Sequence, residues 1–586
     1  MIDASANLNL LWASMIIEEL VRTGVRHFCL SSGSRCAPLT VAAARNDRAQ
    51  TILHFDERGA AFHALGIAKG SGKPAALICT SGTASANYLP AIIEASMSGV
   101  PLVVLTADRP SEMISTGANQ TIEQTRLFDG YLRWQFLMPP PSQEVPPETV
   151  LTMVDQAVYK ARRAPGGPVH INCPFREPLS PVRTGHDFTS YLSTLETWRN
   201  HADPFTQYVE SMNQGTPDGL ERVVEAIEGA ERGVILAGSL SSMEEAAAVV
   251  ELSRHLGWPL LPDVASSIRF GAHSDFMASY YDVALQSTAF NGLLRPDVAL
   301  QIGGAITSKR LNQHLESYGP RTFIHAANHP GRLDPNHRVT LRIETGIAAF
   351  CNQLTGHASP NLDLAWRDEL VAVSAALDTF LNEFMGRHRQ VSEPALARTI
   401  TQLAPRDSIL FAGNSMPIRD LDMYGAAQGH SLRVMANRGA SGIDGCVATA
   451  AGLAVGSGKP VTAFLGDLAM LHDVNSLPLA RKAGVPVIYV VVNNDGGGIF
   501  HFLPIARYAG EFEPYFATPH GFHFDAAGDL FDVAHVSPVS MDLFKTVYKS
   551  AIERGGATII EIHTSRAQNV NIHKMLNWAV RRAVDG

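Results

Sequence analysis

Cysteine is scarce in this 586-residue chain, and the six present (Cys29, Cys36, Cys79, Cys173, Cys351 and Cys446) form neither a CxxC pair nor a metal-type spacing. A disulfide scaffold and a cysteine zinc site are excluded, and the thiols read as reduced core or loop residues. A basic excess is missing too. With 47 Lys and Arg against 56 Asp and Glu, the net charge of −9 argues against a general nucleic-acid binder and leaves anionic ligands to local arginines. No apolar run approaches the ~20 residues needed to span a bilayer. The first residues, MIDASANLNLLWASMIIEELVRTG, carry Asp3, Glu18 and Glu19 and no basic leader region. They read as an amphipathic helix rather than a signal peptide, so the expectation is a cytoplasmic protein without membrane insertion. A complete GxGxxG is also lacking: SSGSRCAP, after the first expected strand, does not supply one, which counts against a nicotinamide dehydrogenase.

What is present is an ordinary globular balance, 46% apolar and 18% charged, in a chain too long for one core. Three or so domains of about 150–200 residues are expected. Residues 1–185 alternate helices with the apolar runs HFCLSS (27–32), PAALICT (74–80), PLVVLTA (101–107) and GPVHINCP (167–174), an α/β layer pattern. ERGAAFHALGIAKGSG (57–72) has helical spacing and a glycine stop. A linker is placed at 186–218. A central α/β domain follows at 219–355, with GVILAGSL, WPLLPDV, DVALQIGG and TFIHAAN as strands and Gly303-Gly304 as a strand-end turn. A linker and helix occupy 356–395. The last domain, 396–586, carries SILFAGN, RVMANRG, VTAFLGD, PVIYVVVNN and TIIEIHT and repeats the strand-helix rhythm of the first. Pro478 fits poorly inside a helix over 473–483, which leaves that helix start open.

Two of these strands end in polar turns of one kind. VTAFL (461–465) meets Gly466-Asp467, and PVIYVVV (486–492) meets Asn493-Asn494-Asp495-Gly496. Either turn alone is ordinary punctuation. Together, at the carboxyl ends of buried parallel-type strands, they suggest a clamp for a metal and a diphosphate. Mg²⁺ takes octahedral oxygen ligands, few of them from protein, and Asp467, Asn494 and a carbonyl near Gly496 could provide those.

HFDERG (54–59) puts Glu57 at a helix start, where the helix dipole alone would favour an acid. Arginines gather at strand-end loops: Ser34-Arg35 in SGSRCAPLT, Arg109 in TADRPSE beside Asn119-Gln120 in TGANQTIEQ, Lys309-Arg310, Ser415 and Arg419 in GNSMPIRDLD, and Arg438 in ANRGASGIDG. One such arginine is more often a surface ion pair than a ligand. As a set they suggest carboxylate recognition, because a guanidinium meets a carboxylate in two-point fashion.

The segments GSRxxPLT, HFDERG, TADRP, GANQ, GNSMPIRD, NRGASGIDG, GDLAxLHD and VVNNDGGGIF together resemble the thiamine-diphosphate-dependent 2-succinyl-5-enolpyruvyl-6-hydroxy-3-cyclohexene-1-carboxylate synthase family of menaquinone biosynthesis. The resemblance covers both outer domains and a short piece of the middle one. Leu468, where many thiamine enzymes have glycine, is in keeping with that family. The resemblance implies a three-domain α/β fold, each domain a mostly parallel sheet flanked by helices. It implies an aminopyrimidine-binding domain first, a central nucleotide-fold-like domain, and a diphosphate- and metal-binding domain last. The cofactors implied are thiamine diphosphate and Mg²⁺ or Mn²⁺, in a homodimer or homotetramer with the cofactor at the subunit interface.

The implied reaction is decarboxylation of 2-oxoglutarate and 1,4-addition of the resulting carbanion to isochorismate. Glu57 would activate the cofactor, and Asp467, Asn494 and the Gly496 carbonyl would hold the metal. Gly413, Asn414, Ser415, Ile443, Gly466, Leu468 and Ile499 would complete the cofactor site, Ile443 as the wedge that bends the cofactor. Ser34, Arg35, Arg109, Asn119, Gln120, Lys309, Arg310, Ser415, Arg419, Arg438, Ile499 and Phe500 would meet substrate. The competing readings are another thiamine carboligase or decarboxylase, which would need fewer arginines, and a non-catalytic protein of the same fold, which would be expected to lack Glu57 or Asp467.

Overall fold

The computed structural model describes residues 5–209, 215–271, 275–360, 364–387 and 390–585. Parts of both expected linkers, 210–214, 361–363 and 388–389, lie outside the described residues. Three sheets organise the chain. The first has β1 His27–Leu30, β2 Gln50–Leu53, β3 Ala75–Cys79, β4 Leu102–Asp108, β5 Trp134–Leu137 and β6 Pro168–Pro174, in the order β2-β1-β3-β4-β6-β5. The second has β7 Gly233–Ala237, β8 Leu260–Pro262, β9 Val298–Ile302, β10 Thr322–Ala327 and β11 Leu341–Glu344, in the order β11-β10-β9-β7-β8. The third has β12 Ile409–Ala412, β13 Arg433–Met435, β14 Val461–Gly466, β15 Val487–Asn493, β16 Ala534–Val536 and β17 Ala557–His563, in the order β13-β12-β14-β15-β17-β16. The pairings are parallel, as between β3 and β4, β9 and β10, and β12 and β14. The first and third sheets share one strand order, which is the structural form of the repeated rhythm in the sequence.

Inner strands such as β3, β4, β6 and β15 are buried at every residue, so both faces are covered and the sequence runs apolar without alternation. The strands not foreseen, β2, β5, β11 and β16, all lie at sheet edges. They are short and partly exposed, and so lack that continuous apolar signature.

The chain folds into two compact units. One comprises Met1–Glu210, Asn437–Lys459 and Leu471–Val487; the other comprises Ser211–Ala436, Pro460–Met470 and Ile488–Gly586. In the first unit the expected linker is partly core: Phe188, Leu192, Leu195 and Trp198 join the cluster around the first sheet, and the Trp198 indole donates to Glu19 at 2.6 Å. In the second, helix Ala365–Arg387 buries Leu370, Leu377 and Leu381 against Tyr280, Tyr424 and Leu576.

Helices Glu57–Ser71 and Cys446–Ser457, both in the first unit, pack backbone to backbone. A Cβ on Gly66 would lie 2.2 Å from the Thr449 carbonyl oxygen, one on Gly452 2.1 Å from that of His63, and one on Gly456 2.3 Å from that of Ile67. Gly66-x-x-x-Gly70 thus faces Gly452-x-x-x-Gly456, with room for hydrogen only. Pro478 lies in the first turn of a helix that starts at Leu477, where its missing N–H costs nothing.

Candidate functional site

In the second unit, β14 runs straight into helix Asp467–His472, which sets Asp467 at the strand end. Asp467 is 2% exposed, and its carboxylate organises the turn after β15. Oδ2 accepts the Gly496 N–H at 2.8 Å and the Asn494 N–H at 3.1 Å, Oδ1 accepts the Leu468 N–H at 2.7 Å, and His520 Nε2 stands 3.2 Å from Oδ2. Burial raises the Asp467 pKa, against bonds from Gly496, His520 and Leu468 that favour the charged form. Gly496 has φ +128°, and a Cβ there would lie 2.0 Å from the Ala517 carbonyl oxygen, so only glycine fits.

Asn494 shows that the residues fit a hard cation. Its Nδ2 donates to Glu393 Oε1 at 3.1 Å, and its Oδ1 is buried without a hydrogen-bond partner. An unpaired buried amide oxygen is costly, and beside a buried carboxylate it is a ready oxygen ligand. Burial, then the charge of Asp420, pushes Glu393 up to about 7, against the bond from Asn494. A Cβ on Gly466 would meet nothing within 4 Å, so the strand end is open on that side.

Gly413, Asn414 and Ser415 follow β12 in the same unit. Gly413 donates its N–H to Phe464 O at 2.9 Å, and Asn414 is buried. Ser415 adopts φ +73°, a strained conformation for a residue with a side chain, as the chain enters helix Met416–Tyr424. Arg419, one turn on, donates to the Ser415 carbonyl. Arg310 pairs with Asp282 and lies 3.5 Å from Met423 Sδ on that helix, whereas Lys309 is exposed at the start of helix Lys309–Ser317. Ile499 and Phe500 are half-buried in the turn Gly498–Phe502, with Phe500 edge-on to Phe516.

In the first unit, Glu57 opens its helix behind an Asp56 cap, half-buried. Its neighbours fasten it: Asp56 accepts from Asn475, and Arg58 donates to the His472 carbonyl at 2.6 Å. Gly59 packs closely here: a Cβ would lie 2.6 Å from Ser476 Oγ and 2.7 Å from His54 Nε2, so those side chains would have to shift. Burial first, with the nearby charge of Glu57 adding to it, disfavours ionisation of Cys36, Cys79 and Tyr88.

The loops after β1, β3 and β4 bring the expected arginines together. Arg35, 7% exposed, donates to Phe175 O at 2.8 Å and lies 3.6 Å from Glu177. Arg109 donates to Ser81 Oγ at 3.2 Å and to Asn119 O at 2.8 Å, and Gln120 donates to Ser81 O at 3.3 Å. Both arginines keep a buried Nε with no partner. Burial, then the nearby charge of Arg109, lowers the pKa of Arg35. Two guanidinium groups close enough for their charges to act on each other, each with an unpartnered buried donor, could accommodate an anion. Ser34 is exposed on the same loop.

Asn437, Arg438 and Ile443 belong to the first unit. Lys69 bonds Asn437 Oδ1 at 2.8 Å, and Glu94 accepts the N–H groups of Gly439 and Ala440 at 3.0 and 2.7 Å, which fixes the loop carrying half-buried Arg438. Ile443 precedes the helix, which begins only at Cys446, and is not part of its first turn. Its neighbours Gly442 and Asp444 line a cavity of about 190 Å³ together with Phe62, Ile93 and Glu94.

The chain matches known proteins along most of its length. Residues 12–127 match the thiamine pyrophosphate enzyme N-terminal TPP binding domain, 189–412 the middle domain and 423–562 the C-terminal TPP binding domain. A 2-succinyl-5-enolpyruvyl-6-hydroxy-3-cyclohexene-1-carboxylate synthase of Rubrobacter xylanophilus is 44% identical over 98% of this chain and 99% of its own. One of Salinibacter ruber is 43% identical over 99% and 98%. The chain belongs to this synthase family of thiamine pyrophosphate enzymes. A solved structure of a protein isolated from Mycobacterium smegmatis, 16% identical, shares the fold with a TM-score of 0.70 over 94% of this chain and 99% of that one. This member of the synthase family is accordingly a thiamine-diphosphate-dependent enzyme.

Several residues of the site in this synthase-family chain escape sequence reading. His520 touches Asp467 from a loop 53 residues away, with only the adjacent Gly521 as a cue. Glu393 reads as a helix-start acid in Ser392-Glu393-Pro394, yet it orients Asn494. Ser81 and Gln124, which hold Arg109 and the Gly82 N–H, carry no local signal at all.

Proposed function

We propose that the protein decarboxylates 2-oxoglutarate and adds the resulting four-carbon unit in a 1,4 sense to isochorismate, giving 2-succinyl-5-enolpyruvyl-6-hydroxy-3-cyclohexene-1-carboxylate and CO₂. The observation that carries this reading is the Arg35–Arg109 pair, whose buried unpartnered Nε groups suit a carboxylate-bearing substrate. The names of its relatives supply the product. Thiamine diphosphate, when bound, supplies the carbanion-stabilising ring that this chemistry needs.

The chain's own residues bind, orient and neutralise. Asp467, Asn494 Oδ1 and the Gly496 carbonyl take Mg²⁺ or Mn²⁺ and with it the diphosphate. Gly413, Asn414, Ser415, Gly466, Leu468 and Ile499 would line the cofactor site, with Ile443 as the bulky side chain against it. Glu57 holds a proton at the aminopyrimidine nitrogen through a charge-assisted hydrogen bond. Arg35, Arg109, Arg419 and Arg438 neutralise substrate carboxylates, helped by Ser34, Asn119, Gln120 and Ser415. Lys309 contributes charge, and Arg310 does so while tied to Asp282. Phe500 and Ile499 form the apolar wall.

The reading includes three domains at 1–185, 219–355 and 396–586, a cytoplasmic location, and a homodimer or homotetramer whose chains share each cofactor. No helix among the described residues is long and apolar enough to cross a membrane. CO₂ release from 2-oxoglutarate against pyruvate tests the substrate class. Wild type should prefer 2-oxoglutarate, and Arg35→Ala should raise its KM about tenfold or more while leaving cofactor binding unchanged. Preference for pyruvate would instead indicate another thiamine carboligase.

A further inference from the structure

We propose that His523, Glu561 and His563 form a second cation site, for a borderline transition ion such as Zn²⁺, separate from the clamp at Asp467. Glu561 and His563 stand two residues apart on β17 and so share a face of the strand. His523 arrives from the segment before helix Asp525–Phe531, its ring T-shaped to that of His563 at 5.1 Å. The three ligand atoms lie within 4.8 Å of one another, with His563 Nε2 3.5 Å and His523 Nδ1 3.8 Å from Glu561 Oε1.

The two nitrogen–oxygen separations are close to those of ligands around a common ion. Zinc binds imidazole nitrogen at about 2.0–2.1 Å and carboxylate oxygen at about 2.0–2.2 Å. A tetrahedron of such bonds has edges of about 3.3–3.5 Å. The nitrogen–oxygen gaps match or slightly exceed that edge and are too long for strong direct hydrogen bonds. Two imidazoles and one carboxylate also select a borderline ion over Mg²⁺, which prefers all-oxygen sites.

The carboxylate is held in the manner of a supported ligand. Oε2 accepts His535 Nε2 at 2.8 Å and the Phe524 N–H at 3.1 Å, while Oε1 accepts Asn493 Nδ2 at 2.6 Å. His535 is thereby engaged on the opposite oxygen and acts as a supporting group that fixes the carboxylate plane. The two ligand histidines have 65% and 47% of their side-chain surface exposed, so an ion can enter and retain water in its remaining positions.

The test uses full-length, untagged protein, stripped with chelator and then supplied with thiamine diphosphate and Mg²⁺. Zn²⁺ retained after gel filtration is counted by elemental analysis, and Co²⁺ is titrated in parallel by its visible absorption. One Zn²⁺ per chain is expected, with a Co²⁺ spectrum of low-symmetry nitrogen and oxygen coordination. His523→Ala/His563→Ala should lose that equivalent and the spectrum, and its far-ultraviolet circular dichroism should match wild type. Asp467→Ala should keep both. Absence of retained Zn²⁺ in wild type, or equal retention by the double variant, overturns the site.

Discussion

Asn494 shows how one side chain can mark a site. Its amide nitrogen is spent on Glu393, and the amide oxygen is left buried and unpaired. Asp467 beside it is buried and supported by three backbone N–H groups and the His520 imidazole, an arrangement that fixes its carboxylate in place. Asp467→Ala should therefore weaken Mg²⁺-dependent thiamine diphosphate binding about 100-fold or more, read by calorimetry. Affinity within a few-fold of wild type would remove Asp467 from the clamp. At this scale the sequence was most legible where two signals coincided, as at the paired strand ends, and at arginines in loops. It was least legible where a residue acts through another: Glu393, His520 and Ser81 matter because of what folding puts beside them.

Elements bring those residues into register, and helices Glu57–Ser71 and Cys446–Ser457 pack backbone to backbone. Their facing glycines leave no room for a methyl group, which is why ERGAAFHALGIAKG and CVATAAGLAVG are so rich in small residues. Gly452→Val should force these backbones apart and destabilise by about 1–3 kcal/mol or more, read as a lower thermal midpoint. An unchanged midpoint would mean that the helices do not pack this way.

Helices Leu8–Arg22 and Glu148–Arg162 carry a different device. Asp155 is buried beside Glu19, and burial, then the hydrogen bond and charge of Glu19, raises its pKa. The folded protein then keeps a proton that the unfolded chain releases in the ordinary carboxylate range. The stability this contributes is fully present in acid and declines as pH rises from that range through neutrality. Asp155→Asn cannot lose the proton, so its thermal midpoint should gain on wild type between pH 5 and 8. A gap that is constant or moves the other way would contradict the assignment. The inner strands were legible as unbroken apolar runs, whereas the partly exposed edge strands β2, β5, β11 and β16 were hidden because their faces do not show one period.

At the scale of the whole molecule, the α/β class and the repeated first and third sheets follow from the alternation of buried strands with helices. The shared strand order supplies what the rhythm alone lacked. The loops that bear Arg35, Arg109, Ser415 and Asp467 all follow strand carboxyl ends, the position at which parallel sheets bind ligands. From the residues alone the substrate was legible only as charge, through arginines gathered at strand-end loops; its identity came from the family resemblance.

The central claim is tested most directly with purified protein, thiamine diphosphate, Mg²⁺, 2-oxoglutarate and isochorismate, following CO₂ release together with loss of the diene absorbance of isochorismate. The account predicts that both signals appear in equal amount, and that Glu57→Gln, still folded and still binding the diphosphate, turns over about 10²–10⁴-fold more slowly. CO₂ release without consumption of isochorismate, or full activity in Glu57→Gln, would contradict it.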